Sequence, residues 1–197
     1  MNKARFEAFS DGVFAFAITL LILGISLPAI HLTSNHELSA ALLRLWPNLI
    51  AYALSFAVIG IMWQNHNALF RRVERIDRAT LFWNLLLLGG TVFIPFATST
   101  LGSYPTMTAA ALLYGLTLSW TATSYNLMLN HLVRTRAFHE SVKDAAIAAT
   151  VRAYRTGWVV YAVAALLAFV LPVLSVAAYI IIAIYYLVPR GLESDVA

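Results

Sequence analysis

Apolar runs of bilayer length recur along this chain, separated by charged residues or by Pro and Gly. Read on that pattern, the spans fall at roughly 7–28, 44–66, 80–101, 106–130, 154–171 and 173–189. A helix of about 20 residues crosses the hydrocarbon of a bilayer, and the sixth run is the shortest of the set. The connections are brief. Pro28 to Ser39 is polar and carries His31 and His36, and Gly102-Ser103-Tyr104-Pro105 reads as a turn. Pro172 divides the last two spans with no charge nearby, which predicts a tight hairpin. The pattern predicts an all-α integral membrane protein, with one six-helix membrane domain over residues 1–197.

Composition agrees. Apolar residues make up 61% of the chain and charged residues 11%, against roughly 25% charged in soluble domains. Mean hydropathy is +0.78. A soluble enzyme, a disordered chain and a fibre are excluded, and little chain remains for an extramembrane catalytic domain. The net charge of +4 would suggest nucleic acid in a soluble protein. Here it belongs to cytoplasmic loops, so the expected surroundings are lipid bilayer and not nucleic acid. The chain has no cysteine, which removes disulfides, thiol nucleophiles and thiolate metal sites.

Lys and Arg orient the spans. Lys3 and Arg5 precede the first; Arg71, Arg72, Arg75 and Arg78 lie between the second and third. Arg134, Arg136, Lys143, Arg152 and Arg155 lie between the fourth and fifth, and Arg190 follows the sixth. With six crossings these all share one side, and only Arg44 falls on the other. The positive-inside rule then places both termini in the cytoplasm. The first span has the basic start of a signal peptide. Glu7 and Asp11 break that charge pattern, and Ser26-Leu27-Pro28-Ala29 is a poor cleavage site, so it reads as a membrane helix.

An ionisable group inside a span costs at least about 2.5–3.5 kcal/mol at mid-bilayer, which makes it a functional candidate. Asp11 is such a group, a turn or two inside the boundary. The second span approaches the same face through Trp63-Gln64-Asn65-His66-Asn67, and the third leaves it through Thr80 and Asn84. Asp11, Trp63, His66 and Asn84 therefore share a depth. An imidazole, an indole N–H or an amide can each donate to the carboxylate. Two readings stand: a polar lock between three helices, or a proton relay or ion site.

The first helix has a second feature. At about 100° per residue, Phe9, Phe16, Thr19, Leu20, Leu23 and Leu27 fall on one stripe. Asp11 lies about 140° from Phe16 and points elsewhere. A bulky apolar face with a single hydroxyl serves lipid contact or ordinary packing, or it lines a pore that gates by dewetting.

Other candidates carry less. His139-Glu140 lacks the second His of a zinc-protease motif and reads as a solvated loop. His31 and His36 read as exposed loop residues. Ser119, Thr121, Thr123, Ser124, Asn126 and Asn130 enrich the fourth span in small polar groups suited to helix–helix hydrogen bonds. Pro95, after Gly89-Gly90, is a candidate kink. No phosphate loop, Ser/His/Asp set or carbonyl-filter sequence is present, so neither catalysis nor a cofactor or bound metal is expected.

One segment carries a family resemblance. Arg5-Phe6-Glu7-Ala8-Phe9-Ser10-Asp11, followed eight residues later by Thr19, has the form R-x-x-x-F-S-D with a downstream Thr. It resembles the transmembrane protein 175 family, the endolysosomal potassium channel of animals and its prokaryotic homologues. Gly60-Ile61-Met62-Trp63-Gln64-Asn65-His66 resembles that family's second helix, and Asn84-Leu85-Leu86 with Pro95-Phe96 its third. The likeness covers the first three spans by motif and the rest by hydropathy.

The resemblance implies a homotetramer of six-helix chains in a prokaryotic inner membrane, with four first helices around a central pore that prefers potassium. By position, Phe16, Leu20 and Leu23 would form hydrophobic constrictions and Thr19 a hydroxyl ring. Arg5, Phe9, Ser10 and Asp11 would interlock with Trp63, His66 and Asn84 to hold the helix. The first constriction is usually Ile or Leu in the family, and Phe16 departs from it. The competing function is a proton-coupled secondary transporter using Asp11 and His66, although the two halves of the chain show no internal repeat.

Overall fold

A computed structural model describes residues 2–27, 33–155 and 157–187. Helix α1 spans Lys3–Leu20 and continues as a 3₁₀ turn, Leu21–Gly24; α2 is Asn35–Arg44, α3 Trp46–Arg72 and α4 Arg78–Ser103. Helix α5 is Thr108–Arg134, α6 Asp144–Tyr154, α7 Gly157–Leu166 with a 3₁₀ turn Leu167–Phe169, and α8 Pro172–Leu187. Among the described residues three helices are long and apolar enough to cross a membrane: Lys3–Gly24, Trp46–Arg72 and Arg78–Ser103. Pro172–Leu187 is a shorter apolar helix.

Local chemistry sets the ends. Asn2 caps α1 by accepting from the Ala4 N–H, which starts the helix earlier than hydropathy implies and draws Lys3 and Arg5 into it. Asp77 caps α4, with Thr80 N–H and Oγ1 donating to it at 2.8 and 2.7 Å. Arg71 and Arg72 in the last turn complement the α3 dipole and carry that helix past residue 66. Helix α5 ends in a Schellman motif. Ala137 N–H donates to Leu132 O at 3.0 Å and Arg136 N–H to Val133 O at 3.2 Å, with Arg136 at φ 49 where glycine is usual.

Two elements differ from the hydropathy reading. The first connection contains α2, nucleated by a capping box in which Ser34 accepts from Glu37 N–H and Glu37 reaches back. The span expected at 154–171 is preceded by a separate helix: α6 ends at Tyr154, and α7 begins after a break, at Gly157. Side chains satisfy carbonyls at that break, Asn126 Nδ2 donating to Tyr154 O at 2.7 Å and Tyr186 Oη to Ala153 O at 3.4 Å. Helix α4 continues through Pro95. His31, Arg190 and the ends of the first and sixth expected spans lie outside the described residues.

Helix α4 is central, packing on α1, α3 and α5, while α5 also meets α6, α7 and α8. Small residues allow the closest crossings. A Cβ at Gly115 would collide with Tyr179 Oη and Ala165 Cβ, and one at Gly90 would lie 2.6 Å from Thr121 Cγ2. By contrast, among the described residues α1 packs mainly on α3, α4 and the turn that follows it. Its start is tied to one end of the bundle, where Lys3 Nζ donates to Val73 O at 2.6 Å. The α5–α6 connection joins there too, with Glu74 N–H donating to Ala137 O at 2.8 Å and His139 N–H to Arg72 O at 3.0 Å.

Candidate functional site

The helical period divides α1 into two faces. Phe6, Ser10, Phe14 and Ala17 are buried, as is Leu21 in the following turn. Arg5, Phe9, Gly12, Phe16, Thr19 and Leu23 are exposed, at successive spacings of four and three. Phe16 is 60% exposed and Leu23 74%, large fractions for side chains of that size. Leu20 is half-buried at the edge of this stripe. Thr19 Oγ1 donates to Phe16 O at 2.8 Å, which spends its proton on the backbone and leaves the hydroxyl oxygen as an acceptor.

The buried face of α1 meets the polar residues of α3 and α4. Ser10 Oγ donates to Phe6 O at 3.0 Å and accepts from Asn84 Nδ2 at 3.0 Å. Asn84 Oδ1 lies 2.9 Å from His66 Nε2. Because the amide N–H₂ of Asn84 is turned to Ser10, its oxygen accepts from the imidazole, which assigns the Nε2–H to His66. The ring sits among Phe6, Phe14 and Phe70, with centroids 6.0, 5.4 and 4.6 Å away. Three helices are thus joined by a buried chain of hydrogen bonds inside an aromatic shell.

Asp11 belongs to a separate contact. Its Oδ1 accepts from Trp63 Nε1 at 2.9 Å, near the surface of the chain. The structure therefore brings Ser10, Asn84 and His66 together, and Asp11 with Trp63. Among the described residues no hydrogen bond joins Asp11 to His66. Arg5 and Phe9 point outward with the exposed stripe.

The other sequence candidates fall elsewhere. Asn130 Nδ2 donates to Asn126 Oδ1 at 2.6 Å, and Asn126 in turn links α5 to α6. Thr117, Thr121 and Thr123 bond back to carbonyls of their own helix. His36 is exposed on α2, and His139 and Glu140 are exposed in the α5–α6 connection. Two features escaped the sequence reading. Ser55, Thr98 and Tyr114 form a second buried polar cluster, with Thr98 Oγ1 donating to Ser55 Oγ at 2.7 Å and Ser55 Oγ 2.9 Å from Tyr114 Oη. His131 Nε2 lies 2.8 Å from Asp77 Oδ2. The Thr80 backbone N–H, then the Thr80 hydroxyl and His131, hold the Asp77 carboxyl down at about 2.

Apolar helices of bilayer length, tied by buried interhelical hydrogen bonds, define an integral membrane protein. A sequence model of the family described as the endosomal/lysosomal potassium channel TMEM175 matches residues 5–95. A potassium channel of Streptomyces collinus is 41% identical over 194 residues, covering 94% of this chain and 92% of that one. A potassium channel of Chamaesiphon minutus is 39% identical over 189 residues, covering 94% and 93%. The crystal structure of a lysosomal potassium-selective channel TMEM175 homologue from Chamaesiphon minutus superposes with TM-score 0.82 at 38% identity, over 93% of this chain and 95% of that one. The chain belongs to the TMEM175 potassium-channel family. The likeness extends over the last helices as well as the first three, and the transporter alternative is not favoured.

Proposed function

We propose that this protein is a potassium-preferring cation channel, with a pore formed where the α1 helices of four identical chains meet. Six crossings in a prokaryotic inner membrane, with both termini cytoplasmic, complete the reading. The observation that carries it is the exposed stripe of α1. Arg5, Phe9, Gly12, Phe16, Thr19 and Leu23 follow the four-and-three spacing of a seam between like helices, and among the described residues no other part of the chain covers them. The names of the relatives supply the ion.

On this reading each group has a physical role. Phe16 and Leu23 make apolar rings, at which a water column is unstable and conduction is gated by wetting. Leu20, at the edge of the stripe, closes gaps between neighbouring chains. Thr19 places a ring of hydroxyl oxygens between the constrictions, where they replace part of the ion's water shell. Ser10–Asn84–His66 and Asp11–Trp63 fix the rotation of α1, so that the same face meets the axis in every chain. Joining of the N-terminus, the α3–α4 connection and the α5–α6 connection at one end supports the shared side of the basic residues.

The test is the reversal potential of purified protein in a planar bilayer, with potassium on one side and sodium on the other. A potential shifted toward potassium equilibrium, with unitary currents that grow in Phe16→Ala, is expected. Currents and selectivity unchanged in both Phe16→Ala and Leu23→Ser would overturn the assigned pore face.

A further inference from the structure

A cavity of about 70 Å³ lies away from α1, between α3, α4, α5, α8 and the break that separates α6 from α7. Roughly 10–15 Å³ of such space holds one water, so there is room for a molecule of several heavy atoms. Its walls are mainly carbon: Val58, Met62, Leu87 and Leu118 contribute, and no charged side chain lines it. Tyr161 lines it too and is only 8% exposed.

The Tyr161 hydroxyl has no hydrogen-bond partner among the described residues. Three other hydroxyls around it are engaged. Tyr125 Oη donates to Asn65 O and Tyr186 Oη to Ala153 O, both at 3.4 Å, and Thr121 Oγ1 donates to Leu118 O at 2.8 Å. A hydroxyl that faces an apolar cavity without a protein partner is open to a hydrogen bond from whatever occupies that cavity. Water is a poor occupant, because it needs two to four polar partners and these walls offer few. A molecule with an apolar body and one polar group matches both features.

We infer that this cavity binds a small neutral apolar ligand carrying a single hydroxyl, of the phenol or alkanol class, oriented by a hydrogen bond to Tyr161. The absence of charge in the walls disfavours an ionised headgroup, which would lose its hydration without a counter-charge. Gly157 keeps one edge of the site open. A Cβ there would stand 2.9 Å from Tyr186 Oη, beside the cavity. The site is independent of the pore and does not rest on conduction.

The experiment is fluorine NMR of 4-fluorophenol and of fluorobenzene with the purified full chain in detergent, using empty micelles as the reference. Saturable binding of both probes to the wild type is expected. Tyr161→Phe should weaken 4-fluorophenol about tenfold and leave fluorobenzene unchanged, whereas Ala122→Leu, which fills the cavity, should abolish both. Binding no greater than in empty micelles would overturn the proposal. So would equal binding of 4-fluorophenol to wild type and Tyr161→Phe, or equal loss of both probes in that variant. If Ala122→Leu does not fold, the two probes on Tyr161→Phe decide the matter alone.

Discussion

Asn84 shows how much one side chain can organise. It uses its N–H₂ toward Ser10 and its oxygen toward His66, so a single amide connects α1, α3 and α4. Asn84→Leu leaves the His66 N–H buried without this partner, at about 1–3 kcal/mol, while Ser10 keeps its bond to Phe6 O. A lower unfolding temperature in detergent is expected, and an unchanged melting curve would show that the bonds are dispensable. Arg136 offers the opposite sign. It occupies a left-handed position that costs a side-chain-bearing residue about 1–2 kcal/mol, so Arg136→Gly should raise the unfolding temperature, less the entropy that glycine adds to the unfolded chain. Asp77 gives a pH test. Its folded pKa, about 2, lies below the ordinary carboxyl value of 3.8. The associated stability is therefore complete above about pH 4 and is lost as pH falls toward 2. Asp77→Asn keeps a capping side chain but removes the titration, so wild type and variant should converge in stability across that acid window. Thermal unfolding at stepped pH reads the difference. Asp11 and His66 were legible in the sequence as intramembrane polar groups. Their pairing was not, because residues at one depth can meet several partners and only the packed helices choose among them.

At the scale of elements, the long helices follow from hydropathy and their ends from capping chemistry. The Ser34-x-x-Glu37 capping box that starts α2 is visible in the sequence as a motif. It sits in a polar connection with too few apolar residues to announce a helix by periodicity. The break between α6 and α7 is a different matter. It falls between Tyr154 and Gly157, ahead of the apolar run that starts at Trp158, and its carbonyls are satisfied by Asn126 of α5 and Tyr186 of α8, which are remote in sequence. Arg155-Thr156-Gly157 marks the break locally, but no local signal specifies the partners that close it. Helix crossings depend equally on remote neighbours, since Gly115 is needed only because Tyr179 and Ala165 approach it. Gly115→Val should separate α5 from α7 and α8, at about 1–3 kcal/mol of overpacking or more. Gel filtration and thermal unfolding check this: a stable, monodisperse variant would mean that the crossing can relax.

The whole molecule raises the question of what meets the open face of α1. The chain has no cysteine, so a single introduced thiol reports without background. In the proposed tetramer, Leu23→Cys should form an intermolecular disulfide on oxidation, whereas Val13→Cys on the half-buried side should not. Gel mobility with and without reductant distinguishes the two, and crosslinking at both sites or neither would argue against the α1 seam. The sequence by itself determined the membrane environment, the long helices and the family. Those properties rest on hydrophobic run length and a short contiguous motif, which are local and additive along the chain. Tertiary structure alone decided which face of α1 is left open, how Ser10, Asn84 and His66 pair while Asp11 turns to Trp63, and where Tyr161 meets a cavity. Each depends on side chains far apart in sequence competing for the same space and the same hydrogen bonds, and only the packed bundle resolves that competition.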